Sequence, residues 1–173
     1  MRPNKNADNR IICGDYSEGN RTIHRSNFVL SKIKTGVDPE SLLLVYKNAV
    51  FQKDLELYTS IFDEQVRVFD MWGSWSYDGL NAWREMAKAW FESLGDNKDL
   101  VEFDDIQTEV NVDLATITAF VKFTAISATG EALRYLQNRL TWIAGKKNGG
   151  WKIIHQHTSG PIDFETMKVM LKR

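Results

Sequence analysis

The sequence has one cysteine, almost no net charge and no long apolar run. Cys13, alone in 173 residues, excludes an internal disulfide and reads most simply as a free, reduced thiol, which suits the cytoplasm. A net charge of −1, from 22 basic and 23 acidic residues, does not favour electrostatic capture of nucleic acid, although it leaves room for a local basic patch. The longest aliphatic run, Leu42 to Val45, falls far short of the roughly 20 residues that span a bilayer. The charged opening stretch, Met1 to Arg10, is followed by no apolar targeting segment, so no membrane partner is expected. Internal repeats and low-complexity stretches are also absent, which removes solenoids and flexible scaffolds.

What remains is ordinary globular material with many aromatics. Hydrophobic residues make up 43% and charged residues 26%, enough for one domain with a substantial core. Six Trp and nine Phe are a large stock, and such side chains build either thick cores or apolar ligand cavities. Residues 1–37 are polar and weakly periodic, with Gly14, Gly19 and Gly36 as breakers. They read as an extension, and His24 within it as a solvated surface histidine.

Residues 38–173 carry the domain. Asp38-Pro39-Glu40 is a physically sensible helix start, with Leu42, Val45, Tyr46 and Ala49 following on one face. A break at Lys53-Asp54 leads to a second, short helix through Leu55, Tyr58, Ile61 and Phe62, and the chain turns extended at Val66. Asp78-Gly79 introduces a third helix, with Leu80, Trp83, Ala87, Trp90, Phe91 and Leu94 inward, stopped at Gly95; both tryptophans read as core. From Val101 the pattern becomes strands: 101–103, 107–113, 116–128, 132–144 and 151–158, with turns at Gly130 and 146–150. The tail 163–173 suits a terminal helix or a partner interface. Helices first and antiparallel strands afterwards imply an α+β architecture, a cone-shaped curved antiparallel sheet wrapped around the N-terminal helices.

Chemistry concentrates in Val66 to Gly79, where one acid, Asp70, stands among apolar neighbours before a Gly-Ser turn. Asp70 shares a strand face with Val66 and Val68. The opposite face, Arg67, Phe69 and Met71, is also partly apolar, so alternation leaves the direction of Asp70 open; an Asx turn at Gly73-Ser74 is the plain alternative. Trp72, Trp75 and Tyr77 follow it, where a planar apolar substrate would stack, or where a lid or a subunit contact would pack. His155 and His157, on one strand face with Trp151 and Ile153, allow three readings: a histidine base paired with Asp70, a metal pair, or structural histidines. The metal reading lacks a third ligand. Arg139, if inward, would hold a ligand carboxylate or pair with Asp70, and such a pairing would lower the acid's pKa and make it a poor base.

Two patterns carry a resemblance. Asn138-Arg139-Leu140-Thr141-Trp142, a turn, and then the W-x-I-x-H-x-H-x-S run from Trp151 to Ser159 resemble the closing hairpin of the nuclear-transport-factor-like superfamily, as seen in SnoaL-like proteins and the association domain of calmodulin-dependent kinase. The stretch from Tyr46 through Lys53-Asp54-Leu55 to Asp70-Met71-Trp72-Gly73-Ser74 is similar, without a gap, to ketosteroid isomerase of the same superfamily. The superfamily resemblance as a whole covers about Asp38 to Pro161, and the isomerase pattern within it Tyr46 to Gly79. It implies a cofactor-independent isomerase or cyclase moving a proton beside the carbonyl of a small, largely apolar ligand. Asp70 would be its base, Tyr46 an oxyanion donor, Asn138 or Arg139 a second donor, and His155 or His157 an auxiliary. The protonated acid that ketosteroid isomerase uses as its second oxyanion donor has no clear match here. The resemblance equally implies a non-catalytic ligand-binding or association module, a homodimer or larger ring, and the histidines allow a His-Asp dehydratase-like lyase. No cofactor and no metal are implied.

Overall fold

The structure, a computed structural model, describes residues 38–173. The expected extension over residues 1–37, with Cys13 and His24, lies outside the described residues.

The first helix begins slightly later than Pro39 suggests. The Asp38 carboxylate accepts the Glu40 N–H at 2.9 Å and its carbonyl accepts the Ser41 N–H at 3.1 Å, so Pro39-Glu40 form a turn and α1 runs Ser41–Gln52. It buries Leu42, Leu43, Tyr46, Ala49 and Val50. Lys53, left-handed at φ 55°, ends it, and Asp54 caps α2 (Leu55–Ser60) by accepting the Leu57 N–H at 2.9 Å. Phe62 already belongs to β1 (Phe62–Phe69), so the chain turns extended four residues before Val66. β2 (Tyr77–Asp78) and α3 (Leu80–Ser93) follow, then β3 (Lys98–Asn111), β4 (Leu114–Ile126), β5 (Ala132–Lys147) and β6 (Gly150–Ser159).

The strands form one curved, open sheet in the order β2-β1-β6-β5-β4-β3, antiparallel except where β1 runs parallel to β6. Asn148 and Gly149, at φ 49° and 82°, make the tight turn between β5 and β6. The strand registers are irregular at four places, between β1 and β6, β3 and β4, β4 and β5, and β5 and β6, and two of these bulges bear on the site. One lies at Asp105-Ile106 in β3, with Asp105 at φ 52°. The other is a single extra residue in β6, Ile154, between the pairings Ile143 with His155 and Ala144 with Ile153. Gly145, opposite, has no side chain to obstruct it: a Cβ there would come 3.2 Å from the Ile154 side chain.

The helices pack on the concave face, where Tyr46, Tyr58, Phe62, Trp83 and Trp142 form a buried aromatic cluster with ring centroids 5.3–6.3 Å apart. The fully buried Trp142 indole donates to Gln156 Oε1 at 2.8 Å, so its polar atom is satisfied inside the core. Residues 160–173 form no helix. β6 ends at Ser159 opposite Arg139, which leaves the preceding part of β5 open on that side, and the Gln137 N–H there donates to the Leu171 carbonyl at 2.7 Å.

Candidate functional site

A cavity of about 1070 Å³ opens between the concave face and the helices. β1 delivers Asp70 to it: Val66 and Val68 point into the core with no exposure, and the next residue on that face is Asp70. The Thr158 hydroxyl, on the neighbouring β6, donates to Asp70 Oδ1 at 2.5 Å and accepts the Met71 N–H at 2.9 Å. This pair of bonds fixes the carboxylate at the strand end. Burial raises its pKa, and the Thr158 hydroxyl and the backbone N–H groups of Met71 and Trp72 partly oppose the rise. No cation pairs with it among the described residues. Asp70 is therefore a carboxylate of increased basicity with an oxygen left for a ligand.

Around it stand hydrogen-bond donors in apolar surroundings. Tyr46, from α1, is buried, and desolvation pushes its phenol well above the ordinary tyrosine range, the nearby Tyr58 hydroxyl offsetting part of the effect and the Asp70 and Asp99 charges adding to it. The two phenols are neighbours, yet Tyr58 Oη has no hydrogen bond of regular geometry. Tyr46 is thus a protonated donor at any physiological pH. Asn138, on β5 and 6% exposed, also lines the cavity, and its Oδ1 is a buried acceptor with no donor. Such an acceptor is costly and calls for a donor, whereas the Nδ2 group of the same amide is the part that can donate to a ligand oxygen.

The SnoaL-like domain family model matches residues 40–163. The chain belongs to that family. Its fold is also that of several solved structures. An NTF2-like protein of unknown function from Pseudomonas putida KT2440 is 19% identical, with a TM-score of 0.69 over 78% of this chain and 92% of that one. Aln2 from a Streptomyces species is 13% identical, with a TM-score of 0.61 over 72% and 93%. A putative calcium/calmodulin-dependent protein kinase II association domain from Xanthomonas campestris is 15% identical, with a TM-score of 0.56 over 69% and 82%. No curated protein matches the chain. The SnoaL-like fold is one of small-molecule-binding proteins, isomerases and cyclases among them.

Of the residues singled out in sequence, this SnoaL-like domain brings Asp70, Tyr46, Asn138, Trp72 and Tyr77 to the cavity. Tyr77 is held over Gly73, which is at φ 76°; a Cβ at Gly73 would lie 2.8 Å from the Tyr77 hydroxyl. Trp75 is 98% exposed and outside the lining. Arg139, between the buried Asn138 and Leu140, points to the opposite face and makes no pair with Asp70. His155 and His157 also lie outside the cavity. The expectation that they share a face with Trp151 and Ile153 is corrected by the bulge: Ile154 reverses the alternation, so Gln156 and Thr158 take the inner face and both histidines the outer one. There His155 Nδ1 lies 2.9 Å from the Arg67 carbonyl, and both rings stand edge-on to Phe69. A histidine partner for Asp70 is accordingly missing among the described residues, and no group of three His, Cys, Asp or Glu side chains there is arranged to hold a metal.

Trp83, Trp90, Thr158 and Asp99 are among the lining residues not recognised in sequence as part of a site. Trp83 and Trp90 line the cavity as well as the core. Thr158 was hidden by the bulge, which has no local sequence signal. Asp99 did have one: it lies two residues before Val101 and four before Phe103, so strand alternation places all three on one face.

Proposed function

We propose that this SnoaL-like domain is a cofactor-independent enzyme that moves a proton next to a carbonyl of a largely apolar small molecule, as an isomerase or a cyclase. The observation that carries the reading is the meeting, in one cavity, of a half-buried carboxylate with no cation beside it among the described residues and two side chains able to donate, the Tyr46 hydroxyl and the Asn138 Nδ2 group. Asp70 takes a proton from the carbon next to the carbonyl. As the carbonyl oxygen gains negative charge, the Tyr46 hydroxyl and the Asn138 amide donate to it. Asp70 then returns the proton to another carbon of the conjugated system, which is isomerisation, or the enolate carbon attacks a second carbonyl, closing a ring, and the alkoxide formed from that carbonyl takes the proton back from Asp70. An amide takes the place where the resembling isomerase keeps a protonated acid; it is a weaker donor, and a slower enzyme follows from it.

The test is turnover of a fused-ring β,γ-unsaturated ketone, followed by the absorbance of the conjugated product. Wild-type protein is expected to turn it over and Asp70→Asn to lose that activity with its fold intact by circular dichroism. Equal turnover by both would remove Asp70 from the chemistry.

A second reading, a non-catalytic association module, is favoured by one observation. Ile106, Val110, Val112 and Leu114, around the β3–β4 hairpin, are exposed apolar side chains of the sort that a homodimer or a larger ring covers. Light scattering would read that assembly, which is compatible with a working cavity. No helix among the described residues is long and apolar enough to cross a membrane, and a cytoplasmic location belongs to the same proposal.

A further inference from the structure

The cavity has a second polar end. Across β3, β4 and β5 the paired positions form rows on the concave face: Phe103, Val121 and Asn138; then Val101, Phe123 and Leu136; then Asp99, Ala125 and Arg134. The row of Asn138 and that of Asp99 are four residues apart along β5 (134 to 138), about 13 Å at the ordinary rise of a strand. The side chains between them, Phe123, Leu136 and Trp90, are apolar and also line the cavity. A molecule spanning the cavity thus meets polar groups, then a hydrocarbon stretch, then polar groups again.

Asp99 is the unusual member of the far row. It is 8% exposed, a carboxylate that burial would ordinarily exclude. Trp90 Nε1 donates to its Oδ2 at 3.1 Å, and that indole is held in place by Phe91 and Phe123, at 5.1 and 5.9 Å between ring centroids. Its Oδ1 accepts no hydrogen bond from the described residues. Arg134 is close enough to lower the acid's pKa, against the larger effect of burial that raises it, but no salt bridge forms between them. Arg134 is exposed and sits at the rim, whereas Asp99 is buried beside the apolar stretch. A buried acceptor with an unused lone pair and an already partly compensated charge needs a neutral donor more than a cation.

We infer that Asp99 anchors the far end of the ligand by accepting a hydrogen bond from a hydroxyl group, so that the ligand is an elongated, largely apolar molecule with a carbonyl at one end and an alcohol at the other. This rests on the reading of Asp70, Tyr46 and Asn138 as the carbonyl end. The two ends have opposite demands: donors from the protein near Asn138, an acceptor at Asp99. They would therefore set the direction in which the ligand enters.

The experiment compares two fluorescent phenols with the same four-ring skeleton, equilenin, which has a ketone at the far end, and 17β-dihydroequilenin, which has a hydroxyl there. In both, the phenol stands in for the enol at the Asp70 end. The alcohol is expected to bind the wild-type protein about tenfold more tightly than the ketone, the worth of one hydrogen bond to a charged acceptor. In Asp99→Asn, whose amide both donates and accepts, the preference should fall below about twofold. In Asp70→Asn both affinities should change together with the preference kept. Equal binding of the two phenols by the wild type would overturn the anchor and leave the Asp70 end standing. A preference for the ketone would overturn it in favour of Arg134 as a donor. If neither phenol binds, the reading of the carbonyl end fails and this inference fails with it.

Discussion

The two faces of the sheet use the same strands and carry different chemistry. On the concave side, Asp70, Asn138, Gln156 and Thr158 are polar groups embedded among aromatics, and an unpaired Asn138 oxygen and a carboxylate of raised pKa persist there. On the other side, one residue away along the same backbones, Arg139, His155 and His157 are at least partly open to solvent. The histidines are the more obviously chemical residues. Neither ring, however, lines the cavity, whereas burial has made an ordinary Asp-Thr pair into the reactive candidate. Position relative to the pleat therefore outweighs residue type.

The largest effect that would sharpen this contrast is loss of the base. Asp70→Asn is expected to lower kcat/KM of β,γ-enone isomerisation about 10³-fold or more, because a positioned general base contributes roughly 10²–10⁴. In the wild type, kcat/KM should rise with pH through the raised pKa of Asp70 and then level off, since the ionised form does the work. A flat profile would mean that another group takes the proton. Next in size is the neighbouring pair on β5. Asn138→Ala removes a donor inside the cavity and should cost about 10²-fold in kcat with small change in KM, the usual effect of losing one oxyanion donor. Arg139→Ala, one residue on and facing away, should leave kcat within a factor of about two. Equal losses would erase the distinction between the faces.

Much of this fold was legible in the sequence. Asp54 is a residue that caps helices, Asn148-Gly149 is a hairpin signal, and Val66, Val68 and Asp70 obey the period of a strand. The base candidate was legible as well, though only the spacing to Tyr46 turned it inward. What was not legible follows from two irregularities. Ile154 inserts one residue into β6, and because side chains alternate with a period of two, that single residue exchanges the faces of everything after it. His155 and His157 moved outward for this reason, and Thr158 moved in. The tail, which has helix-compatible apolar spacing, instead pairs Ile162 with Val169 and places Leu171 against Gln137, where β6 stops short and an open strand edge is available. Both outcomes depend on partners distant in sequence, which local periodicity does not contain.

A smaller effect concerns stability. Burial raises the folded-state pKa of Asp70 above its unfolded value, so the folded protein binds the proton more tightly. Stability then falls as pH rises from the unfolded value through the folded one, and the charged carboxylate is a net cost above that window. Asp70→Asn keeps an acceptor for the Thr158 hydroxyl without the charge. It should raise Tm by a few degrees at neutral pH, the response to about 1 kcal/mol in a domain of this size, and by less in acid. Thermal melts of both proteins across pH would read the difference; a gain that is the same in acid as at neutral pH would place its origin elsewhere than the charge.

The smallest expected effect is at a residue to which the sequence reading gave an auxiliary catalytic role. His157 lies on the outer face beside Phe69, with a ring-centroid separation of 6.0 Å, and lines no part of the cavity. Removing it takes away one edge-on aromatic contact at an exposed position, worth under about 1 kcal/mol. His155→Ala additionally removes the contact with the Arg67 carbonyl, a partner on the β1 strand that leads to Asp70. Neither change reaches the carboxylate, which Thr158 and the turn backbone hold from the inner side. Turnover should stay within about twofold in His157→Ala, with an unchanged pH profile. A shifted profile would mean that the outer face communicates with Asp70 through β6 itself, and the two faces would then have to be treated as one site.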